Sequence, residues 1–273
     1  MNDNIFVTFD TNVFGPVSDP DEYSTNPEIK ACIEIRKIIN QSKIIPFISE
    51  ASLSLEALSH GDRIDIFIRE WATKNSGITL PTPSPIRINI IQKAFQIGMK
   101  VLHVPRIALG AFVEVPENSW AEDLRIPIKE RQDRHSKFAR KFPEIGPVQL
   151  KRLGAELVKL HNLDTSRVIN FPGWPSPEEL SWSKGIITEF DNPLRFNSQK
   201  QFINYAREIV AEWCDLDILS SHYAYNLDYF CTYDLSRTTG TKGLFHNNNH
   251  DTLKTEYGIE FETPSSLLEI LRK

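Results

Sequence analysis

Short apolar runs alternate with helical patterns along the first part of the chain. Residues 5–9 form a β-branched and aromatic run that is typical of a buried strand, and Gly15-Pro16 predicts a break after it. A helical pattern runs from Pro27 to about Gln41, and a second apolar strand is predicted over 44–48. Two more helices are predicted, one capped by Ser49 and one over 62–72. This order favours parallel strands joined by right-handed crossovers.

A regular pattern returns near residue 198 and continues to the end of the chain. It predicts two helices, two strands and a closing helix, over 199–214, 217–226, 229–232, 259–261 and 265–271. The pattern between these two regular regions is weaker and rich in Pro, Thr, Ser and Trp. Long irregular segments are uncommon inside compact domains. We therefore expect an inserted subdomain over 75–198, mostly helical or irregular, within a domain formed by 1–74 and 199–273.

Composition places few restrictions on function beyond those of an ordinary globular protein. The chain has 273 residues, of which 40% are hydrophobic and 25% charged, and its net charge is −5. Its three cysteines are widely spaced, which argues against a disulfide framework or zinc site and favours a reducing cytoplasm. The polar start does not resemble a signal peptide, and no apolar run reaches the length of a membrane span.

Four carboxylates stand out because of their positions next to predicted elements. They are Asp10, Glu56, Asp217 and Asp234. The carboxyl ends of parallel strands share one crevice, so we expect these acids to meet there. Acids gathered in this way repel one another unless a hard cation such as Mg²⁺ or Mn²⁺ lies among them. Metal-assisted attack of water on a phosphodiester is the chemistry that such a site favours.

Two of these four positions have a nearby competitor. Glu50 competes with Glu56, but an acid at a helix start is favoured by the helix dipole alone. Asp215 competes with Asp217, and both could simply begin the predicted helix. We prefer Asp217 because it adjoins the apolar pair Ile218-Leu219. Each acid alone is explained as a turn or surface residue, so the prediction rests on the set.

The order of these motifs resembles that of the PIN domain, a nuclease family that includes toxins of bacterial toxin–antitoxin pairs. The matching pieces are Asp10-Thr11-Asn12, Ser52 to Glu56, Asp217 to Ala224, Phe230 to Asp234 and Tyr257 to Pro264. The likeness covers about 4–72 and 199–273. Family members of ordinary size lack an insertion of more than 120 residues, so substrate and partner do not carry over from the toxins.

The resemblance implies a three-layer α/β/α fold with a central parallel sheet and an Mg²⁺- or Mn²⁺-dependent endoribonuclease. Asp10, Glu56, Asp217 and Asp234 would be the catalytic, metal-holding acids. Thr232 would supply a hydroxyl before the last acid, and Asn12 a polar neighbour of the first. Family habit also suggests a homodimer, and a toxin would have an antitoxin protein as partner.

A basic segment inside the expected insertion is the best candidate for contact with RNA phosphates. Residues 129–141 contain six Lys or Arg against two acids, in a chain that is acidic as a whole. The six are Lys129, Arg131, Arg134, Lys137, Arg140 and Lys141. Such a stripe could track a phosphate backbone. A solvated amphipathic helix explains it equally well.

Other reaction classes fit the sequence less well. A phosphatase of the haloacid dehalogenase type needs a second acid two residues after the first, where this chain has Asn12. P-loop, dinucleotide-binding and nucleophile-elbow motifs are absent from the sequence. His246 and His250 have the spacing of a helical zinc pair, but three intervening asparagines predict a loop instead. The serious alternative is a non-catalytic RNA- or protein-binding module on the same sheet.

Overall fold

Five parallel strands form the central sheet of the computed structural model, which describes residues 4–59, 82–104, 113–121, 126–142, 199–236, 244–245 and 247–273. The strands are β1 (Ile5–Phe9), β2 (Ile44–Ser49), β3 (Lys100–Leu102), β4 (Tyr229–Cys231) and β5 (Phe261–Glu262). Their order across the sheet is β3-β2-β1-β4-β5, and every pairing is parallel. The chain therefore builds outward from β1 first in one direction and then in the other.

The described residues also form seven α-helices. They are α1 (Thr11–Ser18), α2 (Ile29–Asn40), α3 (Pro85–Gln96), α4 (Ile128–Lys141), α5 (Gln199–Tyr225), α6 (Asn247–Tyr257) and α7 (Pro264–Leu271). Short 3₁₀ turns cover Glu50–Leu53, Leu55–Ala57, Glu117–Ser119 and Asp234–Ser236. The result is an α/β architecture with helices against both faces of the sheet, compatible with three layers.

Alternating side chains on the strands divide the core into two parts. Val7 and Phe9 of β1 and Ile48 of β2 pack in a cluster with α1, α2, α3 and α7. Phe47, the intervening residue on β2, packs instead with Ala224 and Tyr225 of α5. Successive side chains of a strand point to opposite faces, so this alternation requires a helix layer on each side.

The start of the expected insertion belongs to the main domain. Helix α3 contacts α1, and β3 pairs with β2 through Phe47–Lys100 and Ser49–Leu102. Helix α4 packs along α5. Helix α3 and strand β3, which the sequence placed in the insertion that begins at residue 75, therefore pack with the main sheet. The remainder of the expected insertion over 143–198, like the helix expected over 62–72, lies outside the described residues.

Two helix predictions at the ends of the chain also differ from the structure. Residues 199–225 form one continuous helix rather than two, so Asp217 lies in a helix interior and not at a helix start. Helix α1 occupies the place where Gly15-Pro16 predicted a break. Across the described ranges, no helix is both long enough and apolar enough to cross a membrane.

Candidate active site at the carboxyl edge of the sheet

The centre of the carboxyl edge lies between β1 and β4, where the strand order reverses direction. In doubly wound sheets this switch point is the usual ligand crevice. Asp10 directly follows β1, and Thr232 directly follows β4. The backbone N–H of Asp10 donates to the carbonyl of Cys231 at 2.9 Å, so the two segments leave the sheet together. Asp10 thus lies at the carboxyl edge of the sheet.

The Asp10 carboxylate is fixed in place by two donors on other residues. Its Oδ1 accepts the backbone N–H of Thr11 at 2.6 Å, which makes Asp10 the N-cap of α1. Its Oδ2 accepts the hydroxyl of Thr232 at 2.6 Å, and the side chain is nearly buried. The same carboxylate therefore caps helix α1 and faces the crevice at the carboxyl edge of the sheet.

Glu56 joins the same place from the segment that follows β2. It lies in the 3₁₀ turn Leu55–Ala57, not in the α-helix that the sequence predicted, and its side chain is buried. The hydroxyl of Thr11 donates to Glu56 Oε2 and also lies 2.6 Å from the hydroxyl of Ser52. Thr11 thus connects the start of α1 with the β2 segment, a role that the sequence analysis missed.

The predicted supporting residues Asn12 and Thr232 hold the β4 loop against α1. The Thr232 hydroxyl accepts the backbone N–H of Asp234 at 3.1 Å and the side-chain amide of Asn12 at 3.4 Å. Asn12 Oδ1 also accepts the backbone N–H of Tyr233 at 3.3 Å. These contacts bring the half-buried Asp234, at the start of a 3₁₀ turn, to the same edge as Asp10.

The electrostatics show that four acids influence one another here. Burial raises the pKa of Asp10 to about 7, with Glu56 and Asp234 adding repulsion, while hydrogen bonds from Thr232 and Thr11 act in the opposite direction. Burial raises the pKa of Asp215 well above its ordinary value, and the neighbouring acids Glu56, Asp10, Glu212 and Asp234 raise it further. Asp10, Glu56, Asp215 and Asp234 are hereafter called the acidic cluster.

The helix acid in this cluster is Asp215, whereas the sequence analysis preferred Asp217. Both lie within α5, and two residues along an α-helix are separated by about 200° around its axis. Asp217 is buried on a different face of α5, and its carbonyl accepts the hydroxyls of Ser220 and Ser221. The structure therefore adds Asp215 to the acids at this edge, and the role of Asp217 as a metal-holding acid remains a prediction. Asp215 was visible in the sequence as the competitor of Asp217, but the helix phase that places it here was not.

The donors in the cluster are of the right chemical type for a hard divalent cation, being carboxylate and hydroxyl oxygens only. Among the described residues, however, no group of three or more His, Cys, Asp or Glu is arranged to hold a metal ion. Mg²⁺ commonly takes one or two protein carboxylates and completes its shell with water and substrate phosphate. A cation would relieve the crowding of acids that raises the pKa of Asp10. The carboxylates of the acidic cluster are therefore the residues that could hold a partly hydrated Mg²⁺ or Mn²⁺.

A buried pair, Thr8 of β1 and His222 of α5, connects the sheet with helix α5. The Thr8 hydroxyl and His222 Nδ1 lie 2.8 Å apart, and both side chains are almost completely buried. Burial, together with the positive charge of Arg134, lowers the pKa of His222 to about 3. His222 is consequently neutral near pH 7 and serves as a packing partner of Phe230 rather than as an acid or base.

The predicted phosphate-binding segment forms α4, but its basic residues divide between two faces. Arg131 is buried and donates to the carbonyl of Ala121 at 3.2 Å. Arg134 donates to the carbonyl of Tyr223, and Lys141 pairs with Glu256 at 3.0 Å. Four of the predicted cations, Lys129, Lys137, Arg140 and Lys141, are at exposed positions of this helix, and Lys141 is the one paired with Glu256. A structural role thus explains Arg131 and Arg134, two of the six basic residues.

Comparison with known proteins adds no family to this description. No protein-family model matches the sequence, and no curated protein or solved structure was found to be similar to it.

Proposed function

We propose that this protein is a metal-dependent endoribonuclease of PIN-like type that hydrolyses RNA phosphodiester bonds at the acidic cluster. The observation that carries the proposal is the convergence of Asp10, Glu56, Asp215 and Asp234, from four separate segments, at the switch point of a parallel sheet. A structural role alone would not require four mutually repelling acids at this edge. Acidic residues with strongly shifted pKa values in a crevice are found more often at functional sites than elsewhere.

Each residue of the cluster has a part in this chemistry. The four carboxylates would hold Mg²⁺ or Mn²⁺, which when bound supplies an activated water and neutralises charge at the phosphorus. Thr232 and Thr11 orient Asp10 by donating to its two oxygens, so its carboxylate is fixed before substrate arrives. Thr11 does the same for Glu56. Such preorganisation lowers the reorganisation needed during reaction.

RNA is proposed as the substrate from the resemblance to the PIN domain and from exposed cations on α4. Lys129, Lys137 and Arg140 lie on the solvent face of that helix and are available to phosphates. A cytoplasmic location, a homodimer and, for a toxin, an antitoxin partner belong to the same proposal. They rest on the resemblance and the cysteine content alone.

Cleavage of a labelled single-stranded RNA with and without Mn²⁺ tests the proposal. We expect wild type to cleave only with the metal, and Asp10→Asn and Asp215→Asn to lose at least a hundredfold in rate while remaining folded. The matched control is Asp133→Asn, an acid-to-amide change at an exposed position of α4, which should cleave normally. Cleavage that persists without metal, or in Asp10→Asn, would reject the assignment.

A non-catalytic RNA- or protein-binding module is the second candidate. The observation that favours it is the lack, among the described residues, of a ready group of three metal-holding side chains. In this case the hydrogen bonds of Thr11 and Thr232 would replace a cation as the partners of the acids. RNA binding with no cleavage in Mn²⁺, and no effect of Asp215→Asn, would favour this function.

A further inference from the structure

His103 lies on the same edge of the sheet as the acidic cluster. It directly follows β3, and Leu102 pairs in register with Ser49 at the end of β2. Adjacent strands are separated by about 4.8 Å, so the ends of β3 and β1 lie roughly 10 Å apart across β2. This separation is comparable to one or two nucleotides of an extended strand. A strand with a phosphodiester in the crevice would therefore pass near His103.

The imidazole of His103 is held flat against an indole. Its ring lies 4.2 Å from the ring of Trp120, centroid to centroid, with an angle of only 3° between the planes. Its Nδ1 is 3.8 Å from Glu50 Oε2, an atom that also accepts the backbone N–H of Val104. Glu50, the weaker glutamate candidate of the sequence analysis, thus faces β3. The ring is consequently restrained both at its face and at its edge.

The backbone around this pair is restrained as well. The N–H of His103 donates to the Tyr225 hydroxyl at 3.3 Å, and its carbonyl accepts the Ser221 hydroxyl at 3.3 Å. Trp120 is positioned by a parallel bridge to Val101, supported by the Ala121 N–H to the Val101 carbonyl at 3.0 Å. Trp120 thereby covers the edge of β3.

Despite these restraints, half of the His103 side-chain surface is exposed. A histidine that served only to pack on Trp120 would gain more by burying both faces. A fixed, solvent-accessible aromatic face beside a candidate phosphodiester site is suited to a planar ligand. Unpaired nucleobases stack on aromatic rings, histidine included, whatever their sequence.

We infer that His103, backed by Trp120, is a stacking platform for an unpaired nucleobase of the RNA strand that enters the acidic crevice. The inference rests on the proposed function and adds a preference for single strands. A base inside a duplex already has neighbours on both faces, so it cannot extend the His103–Trp120 stack without leaving its own.

The test measures binding of a short single-stranded RNA in the Asp10→Asn background, which removes the complication of cleavage. We expect His103→Ala to weaken binding about tenfold, since loss of one base–aromatic stack falls in this range. His103→Phe keeps a ring and should restore most of the affinity. His103→Gln removes the ring with little change in size and should match His103→Ala, which guards against a folding defect in one variant.

The same RNA annealed to its complement provides the discriminating comparison. Its binding should be weaker and unchanged by His103→Ala. Equal single-strand binding by His103→Ala and its parent would overturn the platform, as would equal weakening for single strand and duplex. Cleavage by the wild type in Mn²⁺ separates the two proposals. If wild type cleaves RNA and His103→Ala binds the single strand normally, only the stacking platform is rejected. If wild type neither cleaves nor binds RNA, the proposed function is rejected too.

Discussion

Asp10 caps helix α1, but it does so at a buried position beside other acids, where a negative charge is unfavourable. It is 4% exposed and faces Glu56 and Asp234, and burial with this repulsion raises its pKa to about 7. The hydrogen bonds from Thr11 and Thr232 offset only part of that effect. A residue that served only as an N-cap would gain nothing from this crowding, because an amide caps as well as a carboxylate.

Replacing Asp10 with Asn should therefore stabilise the protein in the absence of metal. The folded-state pKa of about 7 lies above the ordinary 3.8, so the folded state holds the proton more tightly, and wild-type stability falls as pH rises from about 4 to 7. The shift corresponds to roughly 4 kcal/mol at most, at 1.36 kcal/mol per pKa unit. We expect Asp10→Asn to gain about 2–4 kcal/mol at pH 8 and little at pH 4, measured by urea unfolding. A loss of stability at pH 8 would contradict the electrostatic account.

The two acids of α5 provide a matched pair for a second prediction. Asp215 interacts with Glu56 and Asp10, whereas Asp217 is buried about 200° around the helix. Asp215→Asn should reduce Mn²⁺-dependent cleavage at least a hundredfold with little change in unfolding temperature. Asp217→Asn should act through stability, with the activity of the folded fraction retained. The reverse pattern in the cleavage and thermal unfolding measurements would restore the original preference for Asp217.

At the scale of elements, burial decided what could be predicted from the sequence. Strands β1, β2 and β4 were predictable because each is a short apolar run. Helix α1 was not, since Gly15-Pro16 signals a break. In the structure Gly15 leaves room for Tyr23, because a Cβ there would lie 2.6 Å from the Tyr23 hydroxyl. Helix α6 was also missed, because its three asparagines have weak helix propensity; Leu253 and Tyr257 secure it by burial. His250 consequently lies in a helix, and His246 is outside the described residues.

Helix α4 allows a test at the same scale, because Arg134 caps the end of α5. It donates to the Tyr223 carbonyl at 2.6 and 2.9 Å and to Asn226 Oδ1 at 3.1 Å, and its guanidinium lies 4.2 Å from the Tyr223 ring. The last carbonyls of a helix otherwise lack donors. We expect Arg134→Ala to lower the free energy of unfolding by about 1–3 kcal/mol in urea titrations.

Lys137→Ala is the control for that measurement, since Lys137 is an exposed cation on the same helix. Its effect on stability should remain within about 0.5 kcal/mol, as for most surface substitutions. Equal effects of the two variants would mean that Arg134 does not hold α5. Its assignment to RNA binding would then become the better interpretation again.

For the whole molecule, the order of the strands determines where charge collects. Since β1 and β4 are neighbours, the segments that follow them bring Asp10 and Asp234 together, while the segment after β2 adds Glu56 and α5 adds Asp215. Asp10 and Asp234, the most distant of these positions, are separated by more than two hundred residues of sequence. Their approach depends on strand order and helix phase, which local patterns do not contain, so the sequence did not predict that Asp215 lies beside Asp10 and Glu56.

If the acidic cluster holds the proposed metal, the metal and the proton compete for the same carboxylates. The pKa of Asp10 is about 7, so below that pH its carboxyl group carries a proton that a cation must displace. The apparent affinity for Mn²⁺ should therefore fall roughly tenfold for each pH unit below 7 if binding releases one proton. Saturating Mn²⁺ should therefore raise the unfolding temperature by several degrees at pH 8 and by much less at pH 5.5. Differential scanning fluorimetry at the two pH values provides the measurement.

Two variants make that measurement specific to the site. Asp133→Asn, at an exposed position, should retain the full increment at pH 8, whereas Asp10→Asn should lose most of it. Asp10→Asn should also lose the pH dependence, because the group that releases the proton is gone. An increment that is the same at both pH values, or that survives Asp10→Asn, would mean that Mn²⁺ binds elsewhere, and the acidic cluster would then be a structural feature of the crevice.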